Sequence, residues 1–138
     1  MRRFSIFPLI IVLVALGIAW WSRSRGLQHD ADATAFALAV VDAVVADPPR
    51  RPDLRGTDAL LRDEVARRLA AVGNAVRAGQ GMATVTVVRG DDTPRADGSA
   101  THTATVRIGD EVVLVLRLRH DGDAAKIGIV GVVGGPAP

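Results

Sequence analysis

The chain has 138 residues, 49% hydrophobic and 4% aromatic, with 17 basic residues against 15 acidic ones and no cysteine. That length suits one domain with a single core, since two would each fall near the size at which cores become marginal. Disulfide scaffolds, iron–sulfur centres, thiol nucleophiles and Cys-rich zinc sites are excluded, and three scattered histidines (His29, His102, His120) lack metal-ligand spacing, so neither a metal nor a cofactor is expected.

The basic surplus belongs to the first 26 residues. Arg2, Arg3, Arg23 and Arg25 flank one apolar run, and without them 13 basic residues stand against 15 acidic ones, a formal charge of −2 for residues 27–138. A nucleic-acid module would show a basic stripe and stacking aromatics, whereas the body holds a single aromatic, Phe36, so no nucleic-acid partner is expected.

From Phe4 to Trp21 the sequence FSIFPLIIVLVALGIAWW carries no charge. As a helix, its 18 residues span roughly 27 Å, about the thickness of a bilayer's hydrocarbon core. Pro8 falls in the first turns, where a missing donor is tolerated, and Trp20-Trp21 suits the membrane–water interface. The rival is a cleaved signal peptide, with Arg2-Arg3 as its basic start and small residues at Ala15, Gly17 and Ala19. A double Trp followed by Arg makes a poor mature terminus and a natural interfacial collar, so an anchor over residues 1–26 is preferred. The basic flanks are nearly balanced and lean towards a cytoplasmic amino terminus. The expectation is a single-pass protein of the inner (cytoplasmic) membrane whose domain lies on the extracytoplasmic side.

Residues 27–31 read as a polar joint before a helix over Asp32 to Asp47, on which Phe36, Val40 and Val44 recur at helical spacing. Asp30 and Asp32 are candidate caps, and Pro48-Pro49 ends the helix. The P-x-x-P that follows reads as a stiff loop. A second helix is expected over Asp58 to Ala78, with Thr57 as its cap and Gly79 and Gly81 beyond its end. Leu61, Val65, Leu69, Val72 and Val76 form its apolar stripe, and its arginine-rich face, with Asp63–Arg67 and Glu64–Arg68 pairs, reads as solvated.

After Gly81 the period changes to two, and four strands are expected at 82–89, 99–108, 111–119 and 125–133. If Asp121-Gly122 forms a two-residue turn, His120 faces Asp123, Leu118 faces Ala125, Leu116 faces Ile127 and Leu114 faces Ile129. At Gly109-Asp110, turn chemistry and burial conflict, and a one-residue slip exchanges the faces of the strand. The apolar alternation selects a three-residue loop that includes Glu111, with Val106 facing Leu114 and His102 facing Leu118 on the core side. The whole reads as α+β: an N-terminal transmembrane helix, then two helices on one face of a four-stranded antiparallel meander over residues 32–133, and a loose tail at 134–138.

The order helix, helix, strands, closing on Asp121-Gly122-Asp123-Ala124-Ala125-Lys126-Ile127, resembles the cystatin-like, nuclear transport factor 2-like superfamily, in particular its small membrane-anchored bacterial members. Those often close on D-G-x-W-K-I; here Gly122, Lys126 and Ile127 match, and Ala125 stands at the tryptophan position. The resemblance implies a curved sheet around helices with a cone-shaped pocket, lined here by His102, Leu114, Leu116 and Ile127. The match lies in scaffold strands, so it carries over no catalytic set.

No phosphate-binding loop, dinucleotide fingerprint or nucleophile elbow occurs, and Ser99, the body's one serine, opens a strand beside Gly98. Asp91-Asp92 and Asp97-Gly98 read as turns, not as a calcium loop. His102 is the one candidate catalytic residue, a core-facing general base for which the sequence offers no neighbouring carboxylate. His120 is expected to be exposed beside its turn, and His29 to be a linker residue. On the sheet's outer face Val113, Val115 and Val130 form a candidate interface. The expected function is therefore a membrane-tethered, non-enzymatic domain that binds a partner protein or small apolar ligand, or forms a homodimer. A small isomerase- or hydrolase-like pocket enzyme using His102 is the alternative.

Overall fold

The computed structural model describes residues 7–90, 99–120 and 127–134. Helix α1 runs without interruption from Phe7 to Val45, 39 residues or about 58 Å. The joint at 27–31 is therefore helical, and Asp30 and Asp32 lie inside a helix instead of capping one. The physical reason is the absence of a strong breaker: between Trp21 and Asp32 only Gly26 opposes helix, by about 1 kcal/mol, and no proline intervenes. Among the described residues no helix is long and apolar enough to cross a membrane. The start of the expected span at 4–21 lies outside them, and its described part, from Phe7 to Trp21, continues directly into the polar turns that begin at Ser22.

α1 ends at Val45 and its last carbonyls are capped from another element. Arg77 Nη1 donates to Val44 O at 2.7 Å and to Ala46 O at 3.3 Å. Helix α2 spans Ala59–Arg77. Its N-cap is Asp58, whose carboxylate accepts from Leu60 N at 3.0 Å, whereas Thr57 is buried and accepts from Ile129 N at 3.2 Å. The expected stripe holds: Val65, Leu69 and Val72 are fully buried, with Leu61 and Val76 packed at the margin. Glu64 accepts from Arg68 at 2.6 Å and also from Arg67, which takes Glu64 in place of Asp63.

Strands β1 (Ala83–Arg89), β2 (Ala100–Ile108), β3 (Glu111–His120) and β4 (Ile127–Gly134) form one antiparallel sheet in sequence order. The fold is α+β, with α1 packed chiefly on β1 and α2, and α2 reaching β4. In the β2–β3 hairpin Val106 faces Leu114 and His102 faces Leu118, the register that core burial selected. It arises differently from the expected three-residue loop. Ile108 pairs with Glu111 across Gly109-Asp110, with Gly109 at φ +62°, and a bulge then passes over Val113.

The β3–β4 register departs from expectation. His120 faces Ile127, Leu118 faces Ile129, and after a second bulge Leu116 faces Val132 and Leu114 faces Gly134. Residues 121–126, with the Asp121-Gly122 turn and Lys126, lie outside the described residues, as do 91–98 and 135–138. Placing Ile127 at the strand's start lets Gly128 meet the loop before α2. A Cβ on Gly128 would strike Gly56 O, one on Gly56 would strike Ile127 O, and Thr57 Oγ1 accepts from the next amide. The shift is even, so Ile127 and Ile129 keep their inward parity.

The core joins Ala33, Ala37, Val40 and Val44 of α1 to the α2 stripe and the inner sheet face, with Leu114, Leu116, Leu118 and Ile129 almost entirely buried. Each such leucine or isoleucine contributes about 1.5–3 kcal/mol from burial.

Candidate functional site

Inward alternation on the sheet does not end at the hydrophobic residues. On β1 it continues Val85, Val87, Arg89; on β3 it continues Leu116, Leu118, His120; and on β2 it begins with His102. These three polar side chains meet the base of the packed part of α1. Ala33, with no exposed surface, is the first buried residue of α1 and packs into the core there. Asp30 and Asp32 stand on opposite flanks of that contact, because residues two apart on a helix point in divergent directions.

On one flank Asp30 Oδ1 lies 2.7 Å from His102 Nε2, and Arg89 donates to both carboxylate oxygens at 3.1 Å. Burial raises the pKa of Asp30, but the hydrogen bonds from His102 and Arg89 and their charges outweigh it, so the carboxyl sits below its ordinary value. On the other flank His120 Nε2 lies 3.0 Å from Asp32 Oδ2, and His29 stacks on the His120 ring at 4.3 Å between centroids. Both sheet histidines are 1% exposed.

A carboxylate can only accept, so in each pair Nε2 carries the proton. His102 Nδ1 has no hydrogen-bond partner among the described residues. In the neutral ring with the proton on Nε2 that atom is an unused lone pair. The free nitrogen is sealed from solvent, which separates this pair from an Asp–His dyad that presents its base to a substrate.

Of the residues singled out in the sequence, His102, Leu114, Leu116 and Ile127 are all buried on the inner sheet face. Val115 is half-buried on the outer face between Thr105 and Val133, and Val130 is exposed at the β4 bulge, whereas Val113, shifted by its own bulge, packs against the core. The expectation of an exposed His120 is corrected: inward parity places it under α1. Likewise His102 does have a carboxylate, supplied by a helix 72 residues away. Neither pairing follows from spacing along the chain, but the inward parity of Arg89 and His120 was readable. Among the described residues no group of three or more His, Asp or Glu side chains is arranged to hold a metal ion.

Comparison with known proteins found no matching family model, no curated relative and no similar solved structure.

Proposed function

We propose that the chain is a non-enzymatic domain tethered to the inner membrane by the apolar run at 4–21, with α1 acting as a stalk between the bilayer and the folded body. The observation that supports this reading is the exposed apolar surface of the first half of α1. From Leu9 to Trp20 its large side chains are exposed, Trp20 at 73%, whereas the first buried side chain is Ala33. An apolar surface of that extent in water is costly and calls for lipid or a partner. The arginines that flank the run suit headgroups, and the slight lean of their charge towards a cytoplasmic amino terminus supports a body on the extracytoplasmic side. Fusing alkaline phosphatase to the carboxyl terminus tests the orientation: active enzyme is expected, and an inactive fusion beside an active cytoplasmic reporter would reverse it.

The body's task in this reading is assembly with a partner protein or a second copy, or capture of a small apolar ligand. The outer sheet face, with Val88, Val130 and Val133 exposed around Val115, is the surface offered. A Val115→Glu variant is expected to stay folded and to lose self-association at matched concentration by light scattering; unchanged mass would remove this face from consideration. The helix, helix, meander order also supports a place near the cystatin-like superfamily. A pocket enzyme is the second reading, favoured by the Asp30 carboxylate beside His102 and opposed by the sealing of Nδ1.

A further inference from the structure

β4 is an edge of the sheet, and among the described residues the loop before α2 covers only its first half. Ile129, opposite Leu118, turns its N–H away from β3 to Thr57 Oγ1 at 3.2 Å, and Gly128 lies against Gly56 O. Bonding directions alternate along an antiparallel pair. Val132 and Gly134 stand opposite Leu116 and Leu114, at even steps along β3 from Leu118, so they too direct their backbone groups outward. Neither has a hydrogen-bond partner on that side among the described residues. From Ile127 to Gly134 the strand holds no charged side chain and no proline, the devices that normally keep an edge from pairing. Further on, Pro136 and Pro138 lack an N–H, which bounds the run of donors.

A cation lies beside this open stretch. Gly131 pairs with Arg117, whose β-, γ- and δ-carbons come within 3.5, 3.6 and 3.4 Å of the place that a side chain at 131 would occupy. The stem therefore lies over β4 and takes the guanidinium towards the edge. Arg117 is exposed and has no hydrogen-bond or ion-pair partner among the described residues. On the same outer face Val133 is 64% exposed. The opposite edge, β1, lacks this combination: α1 packs chiefly on that strand, and its one charged side chain, Arg89, is bound to Asp30.

We propose that the open edge of β4, from Gly131 to Gly134, takes an extended strand of a partner protein, paired antiparallel and carrying a carboxylate on its outward side for Arg117. The partner strand belongs to the body's proposed task of assembly and rests on that reading. Backbone bonds to Val132 and Gly134 supply affinity without regard to sequence, and the alternate side chains select. Inward positions of the incoming strand continue the core side beyond Val132 and call for apolar residues. Outward positions meet Val133 and the guanidinium, so one acidic residue among small ones fits. A second copy fits worse, because β4 paired with itself brings another Arg117 to the contact and no acid.

The test titrates full-length protein in neutral detergent micelles against a fluorescent, end-capped peptide of about eight residues, read by anisotropy. The peptide alternates valine with serine and has glutamate at one serine position. Binding is expected to weaken roughly fivefold or more when lysine replaces that glutamate, or when the protein carries Arg117→Glu. The lysine peptide with Arg117→Glu is expected to recover most of the loss. Val132→Pro removes an outward N–H, leaves the bonds between β3 and β4 in place, and is expected to abolish binding. Should that variant fold poorly, N-methylation of the peptide along the side that meets β4 is expected to abolish binding to wild type. No binding, equal binding of the glutamate and lysine peptides, or binding untouched by the backbone changes would each overturn the proposal. A two-copy mass without peptide that Val132→Pro reduces to one would also overturn it, giving the edge to a second copy. The outer-face reading fails separately, on an unchanged mass of Val115→Glu.

Discussion

The two halves of α1 share one backbone and differ in what they touch. From Ala33 to Val44 one side of the helix is buried, at 0–5% exposure for Ala33, Ala37, Val40, Val41 and Val44, while Leu38 on the other side stays exposed. From Leu9 to Trp20 the helix is apolar all round and its large side chains are exposed, with Leu9, Ile11 and Leu13 each at 60% exposure or more. The richer half in hydrophobic residues is thus the one that builds no core. Burial needs a partner surface of matching period: α2 and the sheet supply it for one half, and for the other only a lipid or protein surroundings could.

Glycines in the two halves' surroundings offer a direct contrast. A Cβ on Gly73 of α2 would run into the Val44 carbonyl of α1, so Gly73→Ala is expected to cost about 1–3 kcal/mol in urea unfolding as an overpacked contact. Gly17 in the exposed half has open space around it, and Gly17→Ala is expected to leave the body's stability unchanged while favouring helix. Core leucines sharpen the same point with a larger effect still: Leu69→Ala, at a fully buried site, is expected to cost about 2–5 kcal/mol. Equal effects at positions 17 and 73 would break the comparison.

At the junction between the halves the expected effect is smaller. Asp30→Asn removes the charge shared by Arg89 and His102 and is expected to cost about 1 kcal/mol at neutral pH, a modest value because the carboxylate is partly in water. The folded-state pKa of Asp30 lies below its ordinary 3.8, so its contribution is present in full above that value and is lost as pH falls through the lower folded value. The difference in stability between wild type and Asp30→Asn should therefore shrink below about pH 4, read from urea midpoints across pH.

Much of this architecture was legible from local pattern. The α2 stripe, the four strands and the inward His102 all follow from period 3.6 or 2 and from the identity of the buried face. The β3–β4 register was not, because Asp121-Gly122 is a strong turn signal that competes with a constraint invisible along the chain: Gly128 must lie against Gly56, and Thr57 must reach Ile129 N. The site was half legible. Parity along β1 and β3 points Arg89 and His120 inward, but the carboxylates they need sit on α1, where Asp30 and Asp32 resemble caps until the helix is seen to continue through them. A cap signal is local, whereas the continuity of α1 depends on the lack of a breaker over more than ten residues.

The central claim is that one helix carries a lipid-embedded half and a domain-packed half. The chain's lack of cysteine makes the decisive measurement clean: single cysteines placed at Val12, Leu16, Gln28 and Ala35, in full-length protein in native membranes, probed with a small water-soluble maleimide. Positions 12 and 16 are expected to stay unlabelled until detergent is added, and positions 28 and 35, both exposed on the helix, to label at once. Prompt labelling at 12 and 16 in intact membranes would contradict the account.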